Sequence, residues 1–343
     1  MTFVRRLALT VLALLFAFAP GIDVAAKAKP ARVADSAPAY KGAVIMDASS
    51  GQFIFEDHQG EPSPPASMTK LMTFLVLHDK LLSGDLTLQT PVTVAASDSK
   101  IGGTQVWLKE KEVFSVDELL YAMMIQSAND AAHALARTAA GSAEAFVALM
   151  NAKAAAIGMT HTTFRTPHGL PPSNRRLSEG DLTTPHDFAL LCRELLLKTN
   201  VLNYASVKTR EFGKGLRAEP VVMNNHNHLL GKISGVDGLK TGFTNGAGFC
   251  LAATAQRNGR RIIVVVMGSQ DRKIRDIKVA ELIERGFAGL PAGGPAFKAE
   301  STSRIVTAPA APASPISAAP PEAGETSASG EPVIKFSVPT KRK

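Results

Sequence analysis

Pro64-Pro65-Ala66-Ser67-Met68-Thr69-Lys70, followed by the apolar run 71–82, is the stretch on which the reading of this chain turns. If a helix begins at Ser67, Lys70 lies three residues on, one turn along the same face, where its amine reaches the serine hydroxyl. The free backbone N–H groups and positive dipole end of such a helix start stand beside that hydroxyl, where an oxyanion would be stabilised. The spacing alone is weak, because a chain of this length holds roughly one or two Ser-x-x-Lys by chance. A second copy, Ser97-Asp98-Ser99-Lys100, follows the strand-like Val92-Thr93-Val94 and precedes Ile101-Gly102-Gly103. No helix is expected to keep that Ser and Lys in register, so it reads as a loop.

Working outward, residues 42–46, the turn 47–51 and residues 52–55 form a hairpin signal that delivers the chain to Ser67. Residues 83–114 are irregular, with strand-like pieces around 90–94 and 105–108. Ser115 and Glu118 have capping-box spacing, and Leu119, Leu120, Met123 and Met124 make a helical stripe. That stripe ends at Gln126-Ser127-Ala128-Asn129. Helices are expected over 130–139 and 142–157, stopped by Gly141 and Gly158. A loop, 161–183, holds Pro167-His168-Gly169-Leu170, and Thr184 with Pro185 opens a helix over 185–197. Strands are expected around 208–212, 236–241, 249–256 and 262–268, with Asn258-Gly259 as a tight turn between the last two, and a helix over 274–287 closes the segment. Helices in the middle and strands from both ends predict one α+β domain over 39–290: an antiparallel sheet covered by helices with a helical insertion.

The ends differ in character. Arg5-Arg6, the apolar run 7–19, Pro20-Gly21 and Val24-Ala25-Ala26 follow the three-part pattern of a secretory signal, too short for a comfortable membrane span. Residues 1–26 are therefore expected to be removed, an uncleaved signal anchor being the alternative, and residues 27–38 read as a flexible lead-in. Cleavage would remove Arg5, Arg6 and Asp23, lowering the formal net charge of +8 by one. A basic, exported chain without aromatic interleaving or a nucleic-acid motif points away from nucleic acid and towards an anionic envelope surface. Residues 291–343 are rich in Ala, Pro, Ser and Gly and are expected to be disordered. Cys192 and Cys250 fall on an expected helix and strand in apolar contexts, which suit buried free thiols better than a disulfide.

Three short motifs stand in order: Ser67-Met-Thr-Lys70, Ser127-Ala-Asn129 and Lys240-Thr-Gly242. Together they resemble the serine penicillin-binding and β-lactamase superfamily. Ala66-Ser-Met-Thr-Lys-Leu-Met72, Gln126-Ser-Ala-Asn-Asp-Ala-Ala132, Asn225-His-Asn-His-Leu-Leu230 and Gly235-Val-Asp-Gly-Leu-Lys-Thr-Gly242 look like the low-molecular-mass D-alanyl-D-alanine carboxypeptidases. The resemblance covers about 39–290. It implies removal of the terminal D-alanine from peptidoglycan stem peptides through an acyl-enzyme, acylation by β-lactam antibiotics, a periplasmic or cell-envelope location, and no cofactor.

In that reading Ser67 attacks the penultimate D-Ala carbonyl, activated by a partly neutral Lys70 whose pKa is lowered by burial or by Lys240. Ser127 relays a proton to the leaving amine, and Asn129 hydrogen-bonds the substrate amide. Lys240 and Thr241 suit the terminal carboxylate, and Gly242 lets the strand approach the ligand closely. By analogy with the family, the N–H groups of Ser67 and Phe243 form the oxyanion hole. Arg275 aligns with a carboxylate-binding arginine of relatives, against the alternative of a solvated charge at a helix start.

Rival readings are fewer. His226-x-His228 would share one face of a strand, yet no carboxylate or third histidine stands at helpful spacing, so no metal site is expected. His168 is expected to be a structural loop residue, since no Gly-x-Ser-x-Gly elbow exists for it to serve. A β-lactamase of the commonest class needs a Glu-x-x-Leu-Asn loop, and the corresponding stretch has Glu179 without that pattern. An endopeptidase cleaving cross-links would use identical groups and stays open as the alternative, whereas a non-catalytic wall-binding protein would have lost Ser67 or Lys70. Many members carry a C-terminal β domain and an amphipathic anchoring helix. This chain shows only the Pro/Ala tail ending in Lys341-Arg342-Lys343, which leaves membrane association in doubt.

Overall fold

The computed structural model describes residues 39–174 and 176–300. The expected signal peptide, the lead-in and residues 301–343 of the expected tail lie outside the described residues. From the N-terminal side, β1 (Gly42–Asp47) and β2 (Phe53–Asp57) form the hairpin that leads to a 3₁₀ turn, Ala66–Thr69, and then to α1 (Lys70–Ser83). β3 (Pro91–Thr93), α2 (Ala96–Ser99) and β4 (Val113–Ser115) follow. α3 (Val116–Tyr121) runs into a π turn, Ala122–Gln126, before α4 (Asn129–Ala140) and α5 (Ala143–Ala156). α6 (Pro185–Lys198), α7 (Leu202–Ala205), β5 (Thr209–Phe212) and β6 (Val221–Asn224) precede the three long strands β7 (Val236–Thr244), β8 (Gly248–Arg257) and β9 (Arg260–Ser269). α8 (Arg272–Gly289) is the last helix described.

The main sheet has the order β2-β1-β9-β8-β7, and each neighbouring pair is antiparallel. β9 reads as an unbroken apolar run, Ile262 to Met267, because both of its faces are covered. Ile263, Val265 and Met267 join Val44 and Met46 in the core beneath α1 and α6. Ile262, Val264 and Val266 join Ala43, Ile45 and, from α8, Val279, Leu282 and Ile283. The result is the expected α+β architecture, with the helical insertion α2–α5 continuous with the larger core. The 3₁₀ turn packs on β7, the open edge of the sheet.

Several local expectations change. Residues 105–108 form no strand; their N–H groups turn to the buried Asp130 carboxylate, which accepts from Val106 N at 3.3 Å and Leu108 N at 3.0 Å. The Ser97–Lys100 stretch does make one helical turn, α2, because the Asp98 carboxylate accepts from Ala95 N at 2.8 Å. Ser97 and Lys100 are nonetheless exposed there, and the buried member is Asp98, held by Arg137 and His133. Only half of the capping box forms: Ser115 Oγ accepts from Glu118 N, while the Glu118 carboxylate is taken by Arg210 at 2.6 Å and Gly213 N at 2.9 Å. β6 was not expected; His226 and His228 lie beyond its end, in the segment before β7. Composition ends the folded body at Leu290, yet Phe297 N donates to Gly259 O at 2.8 Å and Glu300 N to Leu197 O at 2.7 Å, so the chain stays against the body through Glu300.

Candidate active site

Two backbone approaches build the nucleophile turn. Gly242 on β7 faces it so closely that a Cβ there would lie 2.5 Å from Pro65 O and 3.2 Å from Met68 N. On the opposite side, Gly169, at φ +84, abuts the Ala66 carbonyl with no room for a side chain. Gly242 was expected to make space for a ligand; its missing side chain also makes space for the protein's own turn. Ala66 itself takes a left-handed φ of 49° just before Ser67, a conformation costly for a residue with a Cβ and held here from both sides.

Lys70 is completely buried at the first position of α1. Its Nζ lies 3.1 Å from Ser67 Oγ and donates to Asn129 Oδ1 at 2.6 Å and to the His168 carbonyl at 2.7 Å. Burial is the main force pushing its pKa well below the ordinary lysine range, and Lys240 adds to it, against the opposing charges of Asp181 and Asp130. His168 thus contributes its backbone carbonyl; its imidazole is buried and held neutral, with a pKa lowered to about 3 by burial and then by Lys70.

The π turn ends in Ser127, which is left-handed at φ 66°, and α4 starts two residues later at Asn129. This is the expected break between helices, and π turns of this kind recur at functional sites. Ser127 Oγ is buried without a hydrogen-bond partner among the described residues. Asn129, expected to meet substrate, is engaged within the protein: besides taking Lys70, its Nδ2 donates to Gly102 O at 2.9 Å and its backbone N–H to Thr104 O at 2.8 Å. One N–H of the amide is left over.

Lys240 is 2% exposed, with Nζ 3.3 Å from Thr241 O, and its pKa falls to about 7 through burial first and Arg275 second. Arg275 is 3% exposed, which rules out the solvated-charge alternative. It reaches from α8 to Cys250 O on β8 at 3.3 Å and pairs with Asp276 at 2.6 Å. Phe243 is half exposed and stacks on Phe249 with ring centroids 4.2 Å apart. Cys192 and Cys250 are both free and buried.

Ser67, Ser127, Thr241, Gly242, Phe243 and Arg275 line a single cleft of about 330 Å³. Five further residues complete it: Thr104, His226, His228, Phe249 and Arg272. Sequence reasoning weighed the two histidines only as metal ligands. Among the described residues no cluster of three metal-ligating side chains exists, and burial with the nearby Lys240 lowers the His226 pKa to about 4, leaving it neutral. The signal for their place lay in the Asn225-to-Leu230 motif, whose Asn227 Nδ2 donates to Gly238 O at 3.0 Å and ties the segment to β7. A second, more apolar cavity of about 190 Å³ lies past the other side of the turn, between Ala66, Gly169, Leu170, Asp181 and Thr244.

A buried amine with a depressed pKa beside a hydroxyl can take its proton, and cations lining the same cleft can hold an anionic group. The chain is similar to proteins of known activity. Residues 27–271 match the family described as D-alanyl-D-alanine carboxypeptidase. The chain is 32% identical over 275 residues to the D-alanyl-D-alanine carboxypeptidase DacF of Bacillus subtilis, covering 80% of this chain and 68% of that one. It is 36% identical over 282 residues to DacC of Escherichia coli, also a D-alanyl-D-alanine carboxypeptidase, covering 80% and 67%. Among solved structures, a penicillin-binding protein of Listeria monocytogenes in its ampicillin-bound form superposes with a TM-score of 0.65 at 30% identity, over 73% of this chain and 97% of that one. The chain belongs to the D-alanyl-D-alanine carboxypeptidase family.

Proposed function

We propose that this protein removes the terminal D-alanine from peptidoglycan stem peptides through an acyl-enzyme on Ser67. The observation that carries the proposal is the surroundings of Lys70 Nζ. Two of its three neighbours, Asn129 Oδ1 and the His168 carbonyl, can only accept. A neutral amine satisfies both with its two N–H groups and turns its lone pair to the third neighbour, Ser67 Oγ, which can donate. The amine takes the hydroxyl proton as Oγ bonds the penultimate carbonyl carbon. The oxyanion is received by the N–H groups of Ser67 and Phe243, the first at the start of the helical turn.

Collapse of the tetrahedral intermediate breaks the C–N bond, and the departing D-alanine amine takes a proton delivered through Ser127, whose unpartnered Oγ lines the same cleft. Water then attacks the ester with Lys70 again as base and regenerates Ser67. Lys240, Thr241 and Arg275 hold the substrate's terminal carboxylate, and the remaining N–H of Asn129 is directed to the acyl-side amide. β-Lactams acylate Ser67 by the same step. Glu179 is exposed and paired with Asn174 at 2.5 Å, so it supports no water-directing role, and slow release of the penicilloyl group is expected.

A peptidoglycan substrate supports a location at the cell envelope, and the expected signal at 1–26 supports export. Among the described residues no helix is long and apolar enough to cross a membrane.

Labelling with a fluorescent penicillin followed by peptide mapping tests the mechanism. An adduct on Ser67 is expected; an adduct on Ser97, or none, overturns it. Incubation with a stem pentapeptide and, separately, with cross-linked dimers separates carboxypeptidase from endopeptidase. Free D-alanine with intact dimers is the expected result.

A further inference from the structure

We propose that Asp181 is the positioning residue for Lys70, fixing with one carboxylate both segments that hold the amine; this rests on the reading of Lys70 as the base. Asp181 lies in the loop before α6, is 4% exposed, and lines the smaller cavity behind the nucleophile turn. Its Oδ2 accepts from Thr69 Oγ1 at 2.8 Å and from Thr166 Oγ1 at 3.1 Å, and its Oδ1 from Arg165 N at 2.6 Å and Thr166 N at 3.0 Å. Thr69 is the residue immediately before Lys70. Thr166 Oγ1 accepts from Gly169 N at 2.8 Å, and His168, between them in sequence, supplies the carbonyl that takes Lys70 Nζ. Pro167 O in the same loop also takes Thr73 Oγ1 of α1 at 2.6 Å. One carboxylate therefore sets the approach of the amine's own backbone and of its carbonyl acceptor.

The bonds also favour the charged form of the group. Two of the four donors are backbone N–H groups, and Thr166 Oγ1 already receives the Gly169 N–H, which leaves its proton for Asp181. The two N–H groups can only donate and the two hydroxyls can each donate, a set that favours a carboxylate and opposes the burial that pushes the Asp181 pKa up. Among the described residues Asp181 has no salt-bridge partner, and a buried charge kept without one is costly. That negative charge opposes the influence of burial and Lys240 on Lys70, together with Asp130 from α4; His168 and His226 complete the titratable groups facing the amine, and both are neutral. Asp181 thus orients the base and keeps its affinity for protons from falling further. A loop staple with no link to the base would do neither.

The test is the pH dependence of the second-order rate constant for penicillin acylation, in the full chain, for wild type, Asp181→Asn and Thr166→Val, with melting temperature as the check on folding. Asp181→Asn keeps an acceptor for the two N–H groups and removes the charge. Lys70 then loses its proton more readily, so the acid limb moves to lower pH by roughly one unit. Thr166→Val keeps the charge and breaks the link to Gly169, so the rate falls about tenfold with the limb unmoved. An Asp181→Asn profile that superposes on wild type, or that drops in height without a moved limb, overturns the inference. Absence of a Ser67 adduct in the wild-type protein overturns the functional reading instead.

Discussion

Replacing Gly242 with alanine separates two reasons for a glycine at this position. The added Cβ would stand 2.5 Å from Pro65 O, 3.2 Å from Ala66 Cβ and 3.2 Å from Met68 N. An ordinary C···O contact is roughly 3.3 Å, so turn and strand must part by about 0.8 Å. The turn resists this because Pro65 O also accepts from Met68 N at 3.1 Å, and β7 resists because Gly242 is in register with Cys250 on β8. Overpacking of this kind costs about 1–3 kcal/mol, or a drop of several degrees in melting temperature for a domain of this size. A displacement near 1 Å of Ser67 from its base costs on the order of 100-fold in acylation. Both are read from one preparation, by thermal melting and by the rate of fluorescent-penicillin acylation. If the glycine served only the approach of a ligand, acylation would fall while the melting temperature stayed at the wild-type value, and that result would refute the packing argument.

Two more outcomes follow from the buried polar groups. Ser127→Ala removes a hydroxyl that has no partner among the described residues, so the melting temperature is expected to hold or rise slightly while acylation falls about 100-fold; a clear loss of stability would show that Ser127 is structural. Stability is expected to rise between pH 7 and 8.5. Lys240 and Lys70 have folded pKa values below the unfolded one, so the unfolded chain binds more protons and unfolding becomes harder as pH climbs. Lys240, lowered to about 7, contributes at most about 1.4 kcal/mol per pH unit. The buried thiols oppose the trend nearer pH 9, Cys250 being pushed up to about 11 by burial, so the check is urea unfolding followed between pH 7 and 8.5. A flat or falling profile in that window would mean that the lysines are charged in the folded protein.

The parts of the fold that local rules govern were legible. Caps and stops placed α4, α5 and α6 to within a residue or two, since Ser142 and Thr184 do accept from Ala145 N and Asp187 N. Asn258 and Gly259 do form the left-handed turn between β8 and β9. What escaped was settled by groups distant in sequence. The strand-like pattern at 105–108 lost to a carboxylate in α4, and Glu118 left its capping box for Arg210, 92 residues away. Residues 291–300, polar and small in aggregate, are carried by Phe297, which packs against the core and beneath the Arg261 guanidinium.

The site divides along the same line. Motif order identified which residues meet, because each sits at an element boundary that local sequence marks: a turn before α1, a break between α3 and α4, an edge strand. Their working state is a tertiary property. Sequence left open whether burial or Lys240 lowers the Lys70 pKa; complete burial ranks first, and it is supplied by the helical insertion and the 161–183 loop together. The choice of partners was equally hidden: a carbonyl of His168, where the imidazole had drawn attention, and the amide oxygen of Asn129, where substrate had been expected. Two acceptors with no proton to give define which proton the amine can surrender and in which direction its lone pair points. Ser67 and Lys70 in sequence are a hydroxyl and an ammonium at a common spacing; in the proposed reaction the loop and the second motif make them a donor and a base.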